Sequence, residues 1–513
     1  MMQPGILWFA RHEMRLAWRD WLWLLSGGHS RHWGIGAAAL GVVVLLMHGL
    51  AYASLPHSVD WAAPPDRHTL VVIGGTLLLY GSLMLSQALE SVTRAFYARG
   101  DLDLLLSSPA RSSRLFAVRL GAMAASVMGM SLVLAAPAID VLAWLGGARW
   151  LAAYGVMAAL AIAAVAIAAV ATMLLFAAIG PQRTRLAAQV IAAIVGASFV
   201  ICVQFLAILS VGTMSRIDFL RSPAALDHAP ATASALWLPA LAATGNWRDL
   251  LVVAVAAAVL LAAAIRVCAP RFAELALAAA GASSARPARR SAAAGCLRSG
   301  FRAASPAQAL RRKEWVLLLR DPWLISQSLM QLLYLMPPFF MLWQSFYGDR
   351  HGARLLVPVL IMAAGQLAGG LTWVAVSGED APELIGSAPI STARVWRAKA
   401  EAVAGAMGLI FLPAVIALAL VEPNLGVVAF CGIATAAASA SLIQFWFRAQ
   451  VKRSLFRRRH VSSRIATFAE AFSSITWSGA GAAALVSPWL ALLPGGVALA
   501  VLAGAWSISP RRT

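Results

Sequence analysis

The 513-residue chain is 61% hydrophobic and only 12% charged, with a mean hydropathy of +0.77, whereas a water-soluble domain is about half apolar and a quarter charged. Its net charge of +20 does not make it a nucleic-acid binder, because the arginines are spread between long apolar runs instead of gathered on one polar face. Cys202, Cys268, Cys296 and Cys431 show no CxxC or His/Cys ligand spacing, which argues against a metal or redox centre and leaves them as small buried apolar residues.

Residues 6–25 read ILWFARHEMRLAWRDWLWLL, in which Arg11, Arg15 and Arg19 recur every four residues and share one helical face, with Trp8, Trp18, Trp21 and Trp23 nearby. That pattern predicts an amphipathic helix lying along the inner membrane surface, its basic face toward headgroups. No cleavable signal peptide is apparent, since the first apolar run begins only near Gly34 and is long enough to span.

About 20 apolar residues, at roughly 1.5 Å each, cross a hydrocarbon core of about 30 Å. Twelve stretches reach that length: 34–55, 69–89, 116–144, 152–179, 187–211 and 250–269, then 323–343, 355–376, 402–421, 425–447, 466–487 and 489–508. The expected fold is an all-α membrane protein of about twelve spans in two tandem six-helix halves. Of the 41 Lys and Arg, 34 fall on the side of the N-terminus and only Arg67, Arg149, Arg216, Arg221, Arg248, Arg350 and Arg354 on the other. By the positive-inside bias both termini are cytoplasmic.

Between the halves, 280–306 is rich in Ala, Ser and Arg, with too little bulky apolar surface to offset the entropy of ordering. It reads as a flexible cytoplasmic linker between a first half, 1–279, and a second, 307–513. The halves repeat one another. An offset of 301 matches Arg11, Glu13, Leu16, Arg19 and Asp20 to Arg312, Glu314, Leu317, Arg320 and Asp321, just before the first span of each half. An offset of 280 matches Leu104, Ser107, Pro109 and Arg114 to Leu384, Ser387, Pro389 and Arg394, and Asp103 and Arg119 to Glu383 and Lys399, between the second and third spans. Corresponding cytoplasmic elements match, so the duplication is parallel, with a pseudo-twofold axis along the membrane normal.

The second of these repeats is the more informative. Acidic residues come first (Asp101 and Asp103; Glu379, Asp380 and Glu383), then a short apolar run, then a Ser-x-Pro turn that interrupts the helix. Ser112 and Thr392 are candidate caps for the basic helices that follow. The product is a short cytoplasmic helix held rigidly against a spanning one, an element suited to passing movement from a soluble motor into the membrane.

The segments GDLDLLLSSPARSSRLFAVRL and GEDAPELIGSAPISTARVWRAK resemble the cytoplasmic loop of bacterial ATP-binding-cassette exporter permeases of the type-2 class, particularly the large ones with an acidic-Leu-Leu-x-Ser-x-Pro loop. The amphipathic first helix and six spans per half are similar to that class too. The resemblance implies a permease in the bacterial inner membrane, not itself an enzyme, that docks separate cytoplasmic ATPase subunits through the N-terminal helix and the loop. The implied coupling residues are Glu13, Asp101, Asp103, Ser107, Pro109, Arg114, Glu314, Glu379, Asp380, Glu383, Ser387, Pro389 and Arg394. The usual member has six spans and dimerises, so this fused pair leaves both a single chain and a homodimer open.

A phosphate-binding GxxxxGK[ST] loop needs a Gly-Lys pair, and the three lysines, Lys313, Lys399 and Lys452, follow Arg, Ala and Val. ATP, if used, is therefore expected on a partner subunit and no cofactor on this chain; membrane lipids are the other partners and nucleic acid is not one. Within the spans, Asp140 near the outer end of the third and Glu470 near the inner end of the eleventh have no acidic counterpart at either repeat offset, which weakens the alternative of an ion-coupled secondary transporter. Gln204, Gln331, Gln366 and Gln444 suit hydrogen bonds between helices. A membrane-embedded lipid or glycan enzyme is the other alternative, but no HExxH or paired-carboxylate spacing supports it. For the external segment from Gly212 to Asp249 the resemblance implies short helices dipping into the outer leaflet, with a plain surface loop the equal alternative.

Overall fold

A computed structural model of the chain describes residues 47–53, 63–97, 112–211, 222–227, 229–231, 234–284, 305–319, 351–377, 389–447 and 464–509, with isolated positions between them. The chain forms two compact units, Met1–Ala288 and Arg289–Thr513. The first contains α1 (Arg67–Tyr97), α2 (Ser112–Gly146), α3 (Ala152–Val211), two short helices, α4 (Pro223–Asp227) and α5 (Leu238–Ala243), and α6 (Trp247–Ser284). The second contains α7 (Pro306–Leu319), α8 (His351–Ser377), α9 (Thr392–Val421), α10 (Pro423–Phe447), α11 (Arg464–Ala484) and α12 (Leu492–Ile508). No strand occurs among the described residues.

The protein is an all-α, multi-pass membrane protein. Among the described residues, eight helical stretches are long and apolar enough to cross a bilayer: α1, α2, the two arms of α3, α6, α8, α9 and α10. They coincide with eight of the twelve expected spans. Half of the expected span at 34–55 and most of that at 323–343 lie outside the described residues. The last two are the helices α11 and α12, joined by a tight turn in which Leu490 N–H donates to the Ser487 carbonyl at 3.1 Å. α12, with 17 residues, is about 26 Å long and falls short of a full core at about 1.5 Å per residue.

Gly180 divides α3 into its arms. Its φ of 73° and ψ of 170° belong to a region only glycine occupies at low cost. The following Pro181 both disfavours a helical Gly180 and starts the next arm well. Thr184 donates its hydroxyl to the Gly180 carbonyl at 2.8 Å, satisfying an acceptor freed by the break.

Both units use the same packing scheme. α1 and α2 lie on α3 as α8 and α9 lie on α10, so that in each half the second and third expected spans pack on the fourth. A hydroxyl pair marks the same crossing twice, Thr93 with Thr172 at 3.4 Å and Thr372 with Ser441 at 3.0 Å. Alanines fill the interiors: Ala88, Ala166, Ala168 and Ala169 in the first unit and Ala364, Ala368, Ala429 and Ala440 in the second are fully buried. In lipid there is no hydrophobic drive between helices, so close approach through small residues and interhelical hydrogen bonds holds them together.

The segment before α6 is packed structure. Trp237, buried at 6% exposure, donates its indole N–H to the Ala231 carbonyl at 3.1 Å and sits over Gly74 of α1, where a Cβ would come within 3.0 Å of the ring. Of the described cysteines only Cys268 is buried. Cys202 and Cys431 are exposed on the outside of their helices, a position that in a bilayer faces lipid, so the expected burial of all cysteines does not hold.

Candidate functional site

α7 begins with a reciprocal cap. Gln308 N–H donates to the Ser305 hydroxyl at 3.3 Å, Ser305 N–H donates to the Gln308 side chain at 3.2 Å, and Pro306 occupies the first helical position. This Ser-Pro-x-Gln box fixes where the helix starts. Leu310, Leu317 and Leu318 turn inward while Arg311 and Arg312 remain exposed. The result is an amphipathic helix with one face on the bundle.

That face packs on α9 and α8 and carries Glu314, whose side chain is wholly buried. Lys399 of α9, 4% exposed, donates to both carboxylate oxygens of Glu314, at 3.1 and 3.2 Å, and to the Ala375 carbonyl at 2.5 Å. An ammonium has three hydrogens, and these contacts use them all. Lys313 adds a bond to Glu314 Oε1 at 3.0 Å. Ala375 lies two residues before the end of α8, so its carbonyl is one of the four without a helical partner, at the negative end of the helix dipole. One buried pair thus joins α7, the end of α8 and the start of α9.

Around it the contacts are weaker. Arg311 Nε lies 2.5 Å from Glu401, which also accepts from Arg397 at 3.0 Å; these pairs are exposed and screened by solvent, so they add little. The Trp315 ring lies against Gly405, where a Cβ would come within 3.0 Å of it. Trp396 meets Phe445 edge to face at 5.4 Å between centroids, fixing the first turns of α9 on α10.

The residues expected to couple the chain to an ATPase are therefore distributed as follows. Glu314 is at the centre of the buried pair. Ser387 and Pro389 are exposed just before α9, and Arg394 and Arg114 are exposed on the first turns of α9 and α2. Glu13, Asp101, Asp103, Ser107, Pro109, Glu379, Asp380 and Glu383 lie outside the described residues. The cap of α9 is Ser391, not Thr392, and it makes no side-chain cap bond; Arg394 N–H instead donates to the Ser391 carbonyl at 2.9 Å.

Lys399 is the residue that reading the sequence for sites missed. A signal was present: with only three lysines among 41 basic residues, two of them converge on one carboxylate. Where geometry calls for a compact ammonium inside a helix junction, arginine's planar fork does not substitute. At the repeat position in the first unit stands Arg119, half-buried, with Nη1 buried and lacking a hydrogen-bond partner among the described residues.

The two carboxylates within spans also have defined surroundings. Glu470 of α11 accepts from Gln444 Nε2 of α10 at 2.6 Å, so Gln444 does join helices. Its carboxylate occupies the space a Cβ on Gly369 of α8 would need. Asp140 of α2 contacts His48 and Tyr154. Among the described residues no group of three His, Cys, Asp or Glu is arranged to hold a metal ion. No family model, curated protein or solved structure matches the chain.

Proposed function

We propose that the chain is the membrane-spanning permease of an ATP-driven exporter, powered by separate cytoplasmic ATPase subunits that push on the loops before α2 and α9. The observation that carries this reading is the Glu314–Lys399 pair. It clamps α7 to both helices that flank residues 378–391, so force applied to that loop or to α7 is delivered to α8 and α9 together. A plain surface turn has no need of a buried charge pair at its base, since such a pair is costly to desolvate. That each unit repeats the same internal packing supports two equivalent halves, and alternating access would come from motion of one six-span half against the other. In this reading the membrane is a bacterial inner membrane, both termini and the 280–306 linker are cytoplasmic, and the cargo is unidentified, with hydrophobic or lipid-linked compounds the natural candidates for such apolar spans.

The test is purification of the tagged chain from detergent-solubilised membranes with mass spectrometry and an ATPase assay. Alongside it goes a variant with Pro109→Ala, Pro389→Ala, Asp103→Asn and Glu383→Gln. Co-purification of a nucleotide-binding subunit whose hydrolysis is lost or uncoupled in the variant supports the permease and its two docking loops. A correctly inserted chain that brings down no ATPase overturns it and moves weight to ion-coupled transport, for which Glu470 is the carboxylate to examine.

A further inference from the structure

His48, Asp140 and Tyr154 come from three different helical segments and meet at the end of the first unit marked by the α2–α3 turn. Tyr154, three residues into α3, donates its hydroxyl to Asp140 Oδ1 at 2.7 Å. His48 Nδ1 lies 2.8 Å from the Val44 carbonyl oxygen, one turn back. A carbonyl only accepts, so Nδ1 carries a hydrogen. The other nitrogen, Nε2, lies 3.3 Å from Asp140 Oδ2. In the neutral ring that this tautomer defines, Nε2 is a lone pair, and a lone pair facing a carboxylate is repulsive. The two contacts together therefore need one proton more than a neutral imidazole and a carboxylate possess, on Nε2 or on Oδ2; without it the ring keeps only one of them, Val44 as the Nδ1–H tautomer or Asp140 as the Nε2–H tautomer.

Among the described residues no other charged group is in contact with His48 or Asp140. Arg149, in the α2–α3 turn, directs Nη2 to the carbonyls of Trp61 and Ala63 at 2.5 and 2.6 Å. Arg248, at the start of α6, lies over the Trp247 ring. Asp140's hydrogen-bond partners among the described residues are His48 and Tyr154.

We propose that His48, Asp140 and Tyr154 form a proton-binding site, in which a bound proton ties the helical residues 47–53 to α2 and its loss loosens that tie. With the proton the cluster is neutral overall. Without it the cluster carries a net negative charge and the ring gives up one contact: it turns a lone pair to Asp140, or it donates from Nε2 and loses the Val44 carbonyl. The charge-assisted contact is therefore present at low pH and weakened as pH rises through the site's own midpoint. The pH on that face sets how firmly the first helical segment is held to the bundle, whichever way the chain is inserted.

The experiment is nitrogen NMR of the full chain in lipid nanodiscs with labelled histidine. Subtracting His48→Gln assigns His48 among the nine histidines, and the titration is repeated in Asp140→Asn and Tyr154→Phe. At pH 7.5, where exposed histidines with midpoints near 6.5 are neutral, wild-type His48 is expected to carry hydrogen on both nitrogens. Equally supportive is a protonated carboxyl band in the infrared that Asp140→Asn removes. Asp140→Asn should lower the midpoint by at least about one pH unit, a tenfold fall in proton affinity. Tyr154→Phe should raise it, because Asp140 loses a donor that stabilises its charge. A merely structural contact does not move the midpoint in opposite directions. A His48 neutral at pH 7.5 with no Asp140 acid band overturns the proposal, as does an equal midpoint in wild type and Asp140→Asn. Should His48→Gln fail to assemble, the shifted resonance common to the other two variants makes the same assignment.

Discussion

Replacing Lys399 by Met is the most direct probe of the α7 junction. It leaves Glu314 with no exposure, stripped of two of its three lysine hydrogen bonds and facing only Lys313, whose side chain is one third exposed. Removing one partner of a buried charge pair costs about 3–5 kcal/mol, because the remaining charge is uncompensated. Glu314→Gln leaves Lys399 with the Ala375 carbonyl and one amide oxygen, an intermediate case expected to cost about 2–3 kcal/mol. The double variant Glu314→Gln with Lys399→Met removes both charges and keeps shape, so its cost should fall below the sum of the singles, with a coupling of about 2–3 kcal/mol. The assay is unfolding of the purified chain in mixed micelles with increasing denaturing detergent, all four proteins side by side. Single variants that each cost less than about 1 kcal/mol, or singles that simply add, would refute the view that this pair locks α7 to α8 and α9. In the permease reading the same variants lose transport-linked ATP hydrolysis even when the protein is folded.

The duplication and the fold yield two further predictions. The repeat matches Glu13 to Glu314 and Arg119 to Lys399, and Arg119 has a buried Nη1 without a partner among the described residues; Glu13→Arg and Arg119→Glu should each destabilise the protein by about 1–3 kcal/mol, and the charge-swapped double variant should recover at least half of the loss in the same assay. At the start of α1, Asp66 accepts the Thr69 N–H at 2.9 Å while its carbonyl takes the first helical bond from Leu70, so Asp66→Ala should cost about 1 kcal/mol. The hydroxyl and the N–H of Thr69 hold the Asp66 carboxyl below its ordinary range. That contribution is present above the unfolded-chain value near 4 and lost as pH falls through the lower folded value. Wild type and Asp66→Ala should therefore converge in stability in strong acid; a gap that persists there would count against the capping role.

How far the sequence reads through to the structure depends on distance along the chain. Eight helices fall where apolar runs of spanning length occur, because in lipid each helix satisfies its own backbone hydrogen bonds and a span is a local property. The break between the arms of α3 was equally legible, since Gly180 followed by Pro181 is a local backbone instruction. The repeated motifs pointed to the loop before α9 and to Glu314, whereas the scarcity of lysine was a signal that did not by itself single out Lys399.

Lateral contacts were not legible. Glu314 and Lys399 are 85 residues apart in sequence, and His48 and Asp140 are 92 apart; no period or spacing announces such pairs. Asp140 read as a carboxylate near the outer end of the third span, and only packing supplied the imidazole and phenol that face it. The sequence by itself determined what lipid imposes on every segment: length, apolarity and the scattering of positive charge. The tertiary structure decided which polar groups meet, because in a bilayer those few groups have no water to turn to and the helices settle where small residues let the groups reach one another.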